Sequence, residues 1–172
     1  MDFQSHLRLI NDYPKPGIVF QDITTLLSNG EVFGAAVKQV AEYYRAKGIT
    51  KVVGIESRGF ILGAAVAYEL GVGLVPMRKK GKLPWKTYAQ EYALEYGTDT
   101  IEIHQDALLP TDKVLITDDI IATGGTAKAS LDLVRKFDVP AENIFMCFLL
   151  DIHDVPGADK EFLKKHGYYS LI

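Results

Sequence analysis

Short apolar runs alternate along this chain with longer segments in which apolar residues recur every three or four positions. The runs have the length of buried parallel strands, and the longer segments have the spacing of helices that bury one face. The candidate strands are Lys51 to Ile55, Gly73 to Met77, Val114 to Asp119 and Ile144 to Leu150, and the candidate helices are 30–47, 59–70 and 127–137. This alternation predicts an α/β protein with a mostly parallel sheet.

Three segments depart from the alternation. Phe3, Leu7 and Ile10 share one helical face, so their spacing predicts a short helix at the start of the chain. The segments 88–96 and 100–103 are predicted to pair as an antiparallel ribbon, after a polar, lysine-rich turn. The last five residues, 168–172, predict one more short strand.

The strand that begins at Val114 leads directly into the most informative motif of the chain. It delivers Asp118 and Asp119 at its carboxyl end, and a loop of small residues from Ala122 to Thr126 follows before the next helix. Backbone N–H groups at a helix start bind anions, and glycines let that backbone approach closely. We interpret Ala122 to Thr126, hereafter the phosphate loop, as a phosphate cradle.

The two acids need a different ligand, because carboxylates repel phosphate. Ribose hydroxyls or a Mg²⁺ ion with its waters would suit Asp118 and Asp119. An acid pair that simply lies in solvent is the alternative, but open α/β sheets bind ligands at this edge. A Walker-type loop fits less well, since no Gly-Lys-Ser/Thr follows the glycines. The residues alone therefore predict a site for a phosphorylated sugar.

Two further segments carry candidate anion-binding groups. Glu56-Ser57-Arg58-Gly59 follows a strand and opens a helix, where the helix dipole disfavours a cation unless an anion lies between them. Arg78 to Lys82 contains four cations immediately after another strand. Such clusters are often only solvated surface, but this position favours a second phosphate site, with Arg78 and Lys82 as the leading candidates.

Composition restricts the functional classes. A chain of 172 residues, 48% of them apolar, is predicted to form one domain with an ordinary core. A net charge of −3 gives no support for general nucleic-acid binding. No apolar run reaches the roughly 18 residues of a membrane span, and the start lacks the form of a signal peptide, so we expect a cytoplasmic protein without membrane contacts. Cys147, the only cysteine, is interpreted as a buried small residue.

Several motifs together resemble the adenine phosphoribosyltransferases, which are type I phosphoribosyltransferases. The phosphate loop resembles their signature for phosphoribosyl diphosphate (PRPP), and four other segments match in order and spacing: Tyr13 to Ile23, Glu56 to Phe60, Arg78 to Pro84 and Leu94 to Gly97. The resemblance implies the type I phosphoribosyltransferase fold, a mostly parallel twisted sheet flanked by helices. It also implies a single domain over 1–172, with a small N-terminal hood at about 1–30 and a flexible antiparallel lid ribbon at about 81–98.

The resemblance further implies an activity and a site. The enzyme would transfer the 5-phosphoribosyl group from PRPP to adenine, giving AMP and pyrophosphate in purine salvage. Mg²⁺ would be the cofactor, bound through PRPP near Asp118 and Asp119 without a certain direct protein ligand. The implied catalytic residues are Glu95, Asp118, Asp119 and Arg58. The phosphate of PRPP or AMP would bind to Ala122, Thr123, Gly124, Gly125 and Thr126. Pyrophosphate would bind to Ser57, Arg58, Arg78, Lys79, Lys82 and Tyr96, and adenine to Val19, Phe20, Arg58 and Glu95.

Two structural expectations and two alternatives accompany this interpretation. The resemblance implies a cis peptide between Glu56 and Ser57. The apolar helix from Phe60 to Tyr68 predicts a homodimer, because an exposed apolar patch usually marks an interface. One alternative is an enzyme of the same fold that uses another purine base, such as hypoxanthine or xanthine. The other is a regulator that senses PRPP without catalysis.

Overall fold

The computed structural model describes residues 1–93, 97–153 and 155–172, so the predicted site residues Glu95 and Tyr96 lie outside the described residues. The strands are β1 (Arg8–Asn11), β2 (Val19–Asp22), β3 (Lys51–Ile55), β4 (Gly73–Lys79), β5 (Thr87–Ala93), β6 (Thr98–His104), β7 (Val114–Ile121), β8 (Ile144–Asp151) and β9 (Tyr169–Ser170). The helices are α1 (Thr24–Ser28), α2 (Gly30–Arg45), α3 (Gly59–Leu70), α4 (Gly125–Arg135) and α5 (Ala158–His166). None of these helices in the described part of the chain combines the length and the apolar character that a membrane span requires.

Seven strands form one sheet in the order β5-β6-β4-β3-β7-β8-β9. The five strands from β4 to β9 in that order run parallel, whereas β6 pairs antiparallel with both β4 and β5. The predicted mostly parallel α/β sheet is therefore confirmed, and so is the antiparallel ribbon. Because β3 and β7 are parallel neighbours, the turns that follow them emerge side by side at one edge of the sheet.

Helices cover both faces of the sheet and create two apolar cores. Successive side chains of a strand point to opposite faces, so Val53 joins the core beneath α4, whereas Val52 joins the core beneath α2 and α3. Cys147 is fully buried in the second core, as expected of a small apolar residue, and this burial raises the pKa of its thiol.

The structure of the first ten residues differs from the prediction. The predicted short helix through Phe3, Leu7 and Ile10 is not found: only Gln4–His6 form a 3₁₀ helix, and Ile10 lies in strand β1. This strand pairs antiparallel with β2, with Ile10 opposite Phe20. The helical spacing was misleading because this backbone is satisfied by a partner strand some ten residues away, which local periodicity does not reveal.

Helices α4 and α5 also differ from the prediction. Helix α4 begins at Gly125, two residues earlier than expected, so the end of the phosphate loop is already helical. Helix α5 was not predicted, because its pattern is mostly charged and one of its two buried residues is a lysine, Lys160. Apolar periodicity detects helices that bury apolar side chains, and a buried lysine breaks that pattern.

Candidate active site

A cleft of about 600 Å³ opens at the carboxyl ends of β3 and β7. Its walls come from the β3–α3 turn, the end of β7, the phosphate loop, the hood and the antiparallel ribbon. The predicted residues that line it are Phe20, Ser57, Arg58, Lys79, Asp118, Asp119, Ala122, Thr123, Gly124, Gly125 and Thr126. These predicted residues come from four separate stretches of the sequence and meet in one concave surface that contains both signs of charge.

The phosphate loop presents the start of α4 to this cleft. Gly124 immediately precedes the helix with a φ of 92°, a left-handed conformation that favours glycine. The first N–H groups of a helix have no partner within the helix, and the positive end of its dipole lies at the same place. The loop therefore offers an anion several backbone donors, together with the hydroxyl groups of Thr123 and Thr126.

The two acids at the end of β7 differ in their surroundings. Asp119 is 4% exposed, and its Oδ2 accepts a short hydrogen bond from Nε of Arg58. Asp118 accepts a hydrogen bond from the backbone N–H of Asp119 at 2.9 Å. Burial, followed by the adjacent charge of Asp119, raises the pKa of the Asp118 carboxyl well above its usual range. Asp119 thus pairs with a cation, while the raised pKa of Asp118 disfavours its ionised form.

The β3–α3 turn holds Arg58 against these acids. The peptide between Glu56 and Ser57 is cis, which confirms the prediction for this turn. Gly59 follows at the first position of α3 and lies so close to β7 that a Cβ there would be 2.7 Å from the carbonyl oxygen of Thr117 and 2.9 Å from Oδ1 of Asp118. Only glycine permits this approach, which places Arg58 beside Asp119.

The three predicted cations, two at the end of β4 and one just after it, have separate environments. The guanidinium of Arg78 binds both carboxylate oxygens of Glu56, at 3.2 and 3.1 Å, and also donates to the carbonyl of Lys82 at 3.1 Å. Neither Arg78 nor Lys82 is among the residues that line the cleft. Lys79 does line it, with its Nζ 3.1 Å from Asp99. The structure therefore brings one of these three cations into the cleft.

Glu56 is an acid whose role the sequence did not indicate. Burial would raise its pKa, but hydrogen bonds from the side chain of Arg78 and the backbone N–H of Lys79 outweigh burial and lower it. Glu56 lines the cleft while it anchors the start of the Arg78 to Lys82 segment. Its position immediately before Ser57 was visible in the sequence, but its partner, 22 residues away, was not.

The hood contributes Phe20 from β2. Phe20 lines the cleft and meets Tyr13 edge-on, with ring centroids 5.2 Å apart. Val19, the other predicted adenine contact on this strand, is 53% exposed and is not among the lining residues. An apolar ring at the cleft wall provides a surface on which a planar base could stack.

Tyr92, Asp99 and Ile152 also line the cleft, although the sequence analysis did not assign them to the site. The hydroxyl of Tyr92 donates to Asp99 at 3.4 Å, and Asp99 in turn holds Lys79. The hydrogen bond and the charge of Asp99 raise the pKa of Lys79, so its ammonium stays charged in the cleft. No motif surrounds these residues, and only the pairing of β5 with β6 brings Tyr92 opposite Asp99.

The donors in the cleft also limit how a metal could bind. Within the described ranges, no three or more His, Cys, Asp or Glu side chains are grouped so that they could hold a metal ion. Asp118 and Asp119 alone supply carboxylates at the end of β7. Mg²⁺ usually binds through one or two carboxylates together with substrate phosphates and waters. The residues therefore fit a metal that arrives with a phosphorylated substrate.

Comparison with known proteins gives the family. A family model described as the phosphoribosyl transferase domain matches residues 23–165. An adenine phosphoribosyltransferase of Methylobacterium radiotolerans is 55% identical over 154 residues, which are 90% of this chain and 84% of the relative. The chain belongs to the adenine phosphoribosyltransferase family.

Solved structures of this family have the same architecture. Adenine phosphoribosyltransferase of Thermoanaerobacter pseudethanolicus superposes with a TM-score of 0.89 at 40% identity, over 99% of this chain and 97% of the other. The Giardia lamblia enzyme, solved in complex with 9-deazaadenine, gives 0.90 at 40% identity, over 98% and 94%. The fold is the type I phosphoribosyltransferase fold, as the resemblance implied.

Proposed function

We propose that the cleft at the ends of β3 and β7 is the active site in which this adenine phosphoribosyltransferase binds PRPP and adenine. The enzyme transfers the 5-phosphoribosyl group from PRPP to adenine and releases AMP and pyrophosphate. The observation that carries the site assignment is the meeting of the phosphate loop, the paired acids and Arg58 in one cleft. An anion cradle beside two carboxylates matches a ligand with phosphate at one end and hydroxyls in the middle.

The phosphate loop would hold the 5′-phosphate. Its donors belong to the backbone at the start of α4, and the geometry of that backbone is fixed by the fold rather than by side-chain rotamers. Such donors need little reorganisation when the ligand binds. Thr123 and Thr126 line the same surface and would add hydroxyl donors to the phosphate oxygens.

Asp118 and Asp119 would face the ribose. The bond between C1′ and pyrophosphate breaks with its electron pair on the leaving oxygen, and positive charge develops on the ribose ring. Two carboxylates beside that ring stabilise the developing charge electrostatically. In the structure Arg58 pairs with Asp119. This pairing limits the repulsion between the two acids. Positive charge that develops on the ligand would lower the raised pKa of Asp118 and favour its carboxylate form.

The leaving pyrophosphate would bind to the β3–α3 turn and to cations from the neighbouring strand. Ser57 and Arg58 lie on that turn, and Lys79 is the cation of the β4 end that lines the cleft. Mg²⁺, bound by the phosphates near Asp118 and Asp119, would neutralise further charge on the leaving group. Neither Arg78 nor Lys82 lines the cleft, and the guanidinium of Arg78 is bound to Glu56. We therefore assign them supporting positions, with Arg78 holding Glu56.

Adenine would stack on Phe20, with its edge read by the peptide of Val19. N1 of adenine accepts a hydrogen bond and its 6-amino group donates one, so one peptide satisfies both. N9 loses its proton as it bonds to C1′, and Glu95 would control the protonation of the imidazole ring of the base. Hypoxanthine reverses both edge groups and would leave polar atoms unpaired.

Assembly, location and lid movement belong to the same proposal. Ile61, Ala64 and Tyr68 form an exposed stripe along α3, and Tyr68 is 88% exposed. A stripe of this kind, on the helix that begins at Arg58, supports a homodimer in which assembly helps to order the active site. We also propose a cytoplasmic enzyme with a base-binding hood at about 1–30 and a lid at about 81–98 that closes over the ligands and excludes water.

AMP formation by the purified chain tests this function. Adenine, hypoxanthine, guanine and xanthine are each supplied with PRPP and Mg²⁺, and nucleotide and pyrophosphate are quantified. The proposal requires AMP and pyrophosphate in equal amounts and a strong preference for adenine. Preference for another base would support the alternative enzyme, and PRPP binding without product would support a regulator.

A further inference from the structure

A buried charge cluster lies against the phosphate loop but outside the cleft. Lys160 of α5 is 1% exposed and Asp151, at the end of β8, is 6% exposed. Their charged atoms are 2.6 Å apart. The hydroxyl of Tyr168 donates to the other oxygen of Asp151, also at 2.6 Å. The mechanism proposed above uses none of these three residues.

Hydrogen bonds from Lys160 reach the phosphate loop from two directions. Its backbone N–H donates to the carbonyl of Thr123 at 3.1 Å. Its Nζ donates to the carbonyl of Ile152 at 2.5 Å, and the N–H of Ile152 donates to the carbonyl of Ile121 at 3.0 Å. Lys160 therefore connects the residue immediately before the loop with a residue inside it.

Two glycines bring α5 into direct contact with this loop. A Cβ on Gly157 would lie 2.2 Å from the carbonyl oxygen of Thr123, and a Cβ on Gly124 would lie 2.5 Å from the backbone nitrogen of Lys160. Distances below 3.0 Å are essentially never found for real Cβ atoms, so both neighbours would have to shift. The start of α5 and the phosphate loop therefore cannot move independently.

We propose that Lys160 and Asp151 are positioning residues that hold the phosphate loop in its binding geometry. The inference rests on the proposed role of that loop in PRPP binding. Asp151 remains ionised at neutral pH, because the hydrogen bonds from Lys160 and Tyr168 outweigh burial and lower its pKa. The ion pair fixes the Lys160 ammonium, the ammonium fixes Ile152, and the backbone of Lys160 fixes Thr123. Neither charged group touches the substrate.

A purely structural role is the competing explanation, since buried ion pairs are weak evidence for stability and can often be replaced by apolar residues. The two roles predict different kinetics. A structural pair would change the amount of folded enzyme and alter the KM of both substrates similarly. A positioning pair would raise the KM of PRPP selectively, because adenine makes no contact with the phosphate loop in the proposed arrangement.

Gly157→Ala is the primary test, with Gly34→Ala as its control. The new methyl group would displace the carbonyl of Thr123, whereas a Cβ on Gly34 meets no atom within 4 Å. We expect Gly157→Ala to raise the KM of PRPP by roughly 10-fold or more and that of adenine by less than about 2-fold. Gly34→Ala should leave the KM of PRPP and the KM of adenine unchanged. An unchanged KM for PRPP in folded Gly157→Ala would overturn the proposal.

A second variant tests the ion pair without leaving a charge unpaired. Asp151→Asn with Lys160→Met keeps an acceptor for Tyr168 and removes both charges. We expect this double variant to fold and to show the same selective rise in the KM of PRPP. Lys160→Arg alone keeps a cation opposite the native Asp151, so its KM for PRPP should be closer to that of the wild type. Lys164→Gln, which removes an exposed ion pair of α5 at 3.0 Å, is the matched control. Equal changes in both KM values would establish a structural role, whereas a wild-type enzyme unable to make AMP would refute the function itself.

Discussion

Gly59→Ala is the substitution with the most readily calculated effect. The added methyl group would lie 2.7 Å from the carbonyl oxygen of Thr117 and 2.9 Å from Oδ1 of Asp118, whereas ordinary contact begins at 3.4 Å. Helix α3 must therefore move away from β7 by about 0.5–0.7 Å. Arg58 precedes Gly59 directly, so this movement also separates the guanidinium from Asp119.

The expected magnitude follows from two opposing effects. Overpacking of this kind costs about 1–3 kcal/mol, and alanine regains at most roughly 0.5–1 kcal/mol over glycine in a helix. The difference, a net loss of up to about 2.5 kcal/mol, corresponds to a melting temperature lower by up to roughly 10 °C for a chain of this size. Misplacement of catalytic groups by about 1 Å can reduce activity by about 10²-fold, so we expect a loss of roughly 10- to 100-fold in kcat.

Thermal unfolding and AMP formation are measured on Gly59→Ala and on Gly34→Ala, its matched control in α2. Gly34 has open space at its Cβ position, so alanine there should stabilise the protein by up to about 1 kcal/mol without altering kcat. If Gly59→Ala has the same melting temperature as the control and retains full kcat, then the close approach of α3 to β7 does not position Arg58.

The remaining predictions concern the acids and the base. Because the pKa of Asp118 is raised in the folded state, the folded protein binds more protons there than the unfolded chain, and stability falls as pH rises from the usual aspartate range towards the raised pKa. Asp118→Asn removes this titration, so its melting temperature should exceed that of the native enzyme by a margin that grows with pH; a constant margin would contradict the shift. Asp118→Asn combined with Asp119→Asn should lower kcat by roughly 10²-fold or more in a protein that still folds. Loss of folding with retained specific activity would make the pair structural. Glu95→Leu should lower kcat with adenine more than it weakens PRPP binding, as steady-state kinetics can measure, and a defect in PRPP binding alone would place Glu95 elsewhere. Adenine should be used roughly 10³-fold better than hypoxanthine in kcat/KM, and similar use of both would contradict base reading by Val19.

The sequence predicted the central sheet well because its strands are strongly apolar and short. The run from Val114 and the one from Ile144 both form strands at the expected places, and the turn after β3 contains the predicted cis peptide. These features are local, so periodicity and motif spacing can reveal them. The phosphate loop belongs to the same class, since its strand, glycines and helix are adjacent in the chain.

The errors and omissions arise where distant segments meet. Ile10 lies in a strand because β2 pairs with it, and Arg78 turns to Glu56 across 22 positions of the sequence. The sequence did not indicate Lys160 at all, because its partner Asp151 is contributed by the end of β8. A single sequence shows which charged residues are present, but not which of them lie close together in the folded structure.

A crystal structure with bound AMP tests the central claim most directly. We expect the 5′-phosphate to accept hydrogen bonds from the backbone N–H groups of the phosphate loop, the ribose hydroxyls to lie beside Asp118 and Asp119, and the base to stack on Phe20. A phosphate bound at the β3–α3 turn instead, or a base away from the hood, would contradict the account.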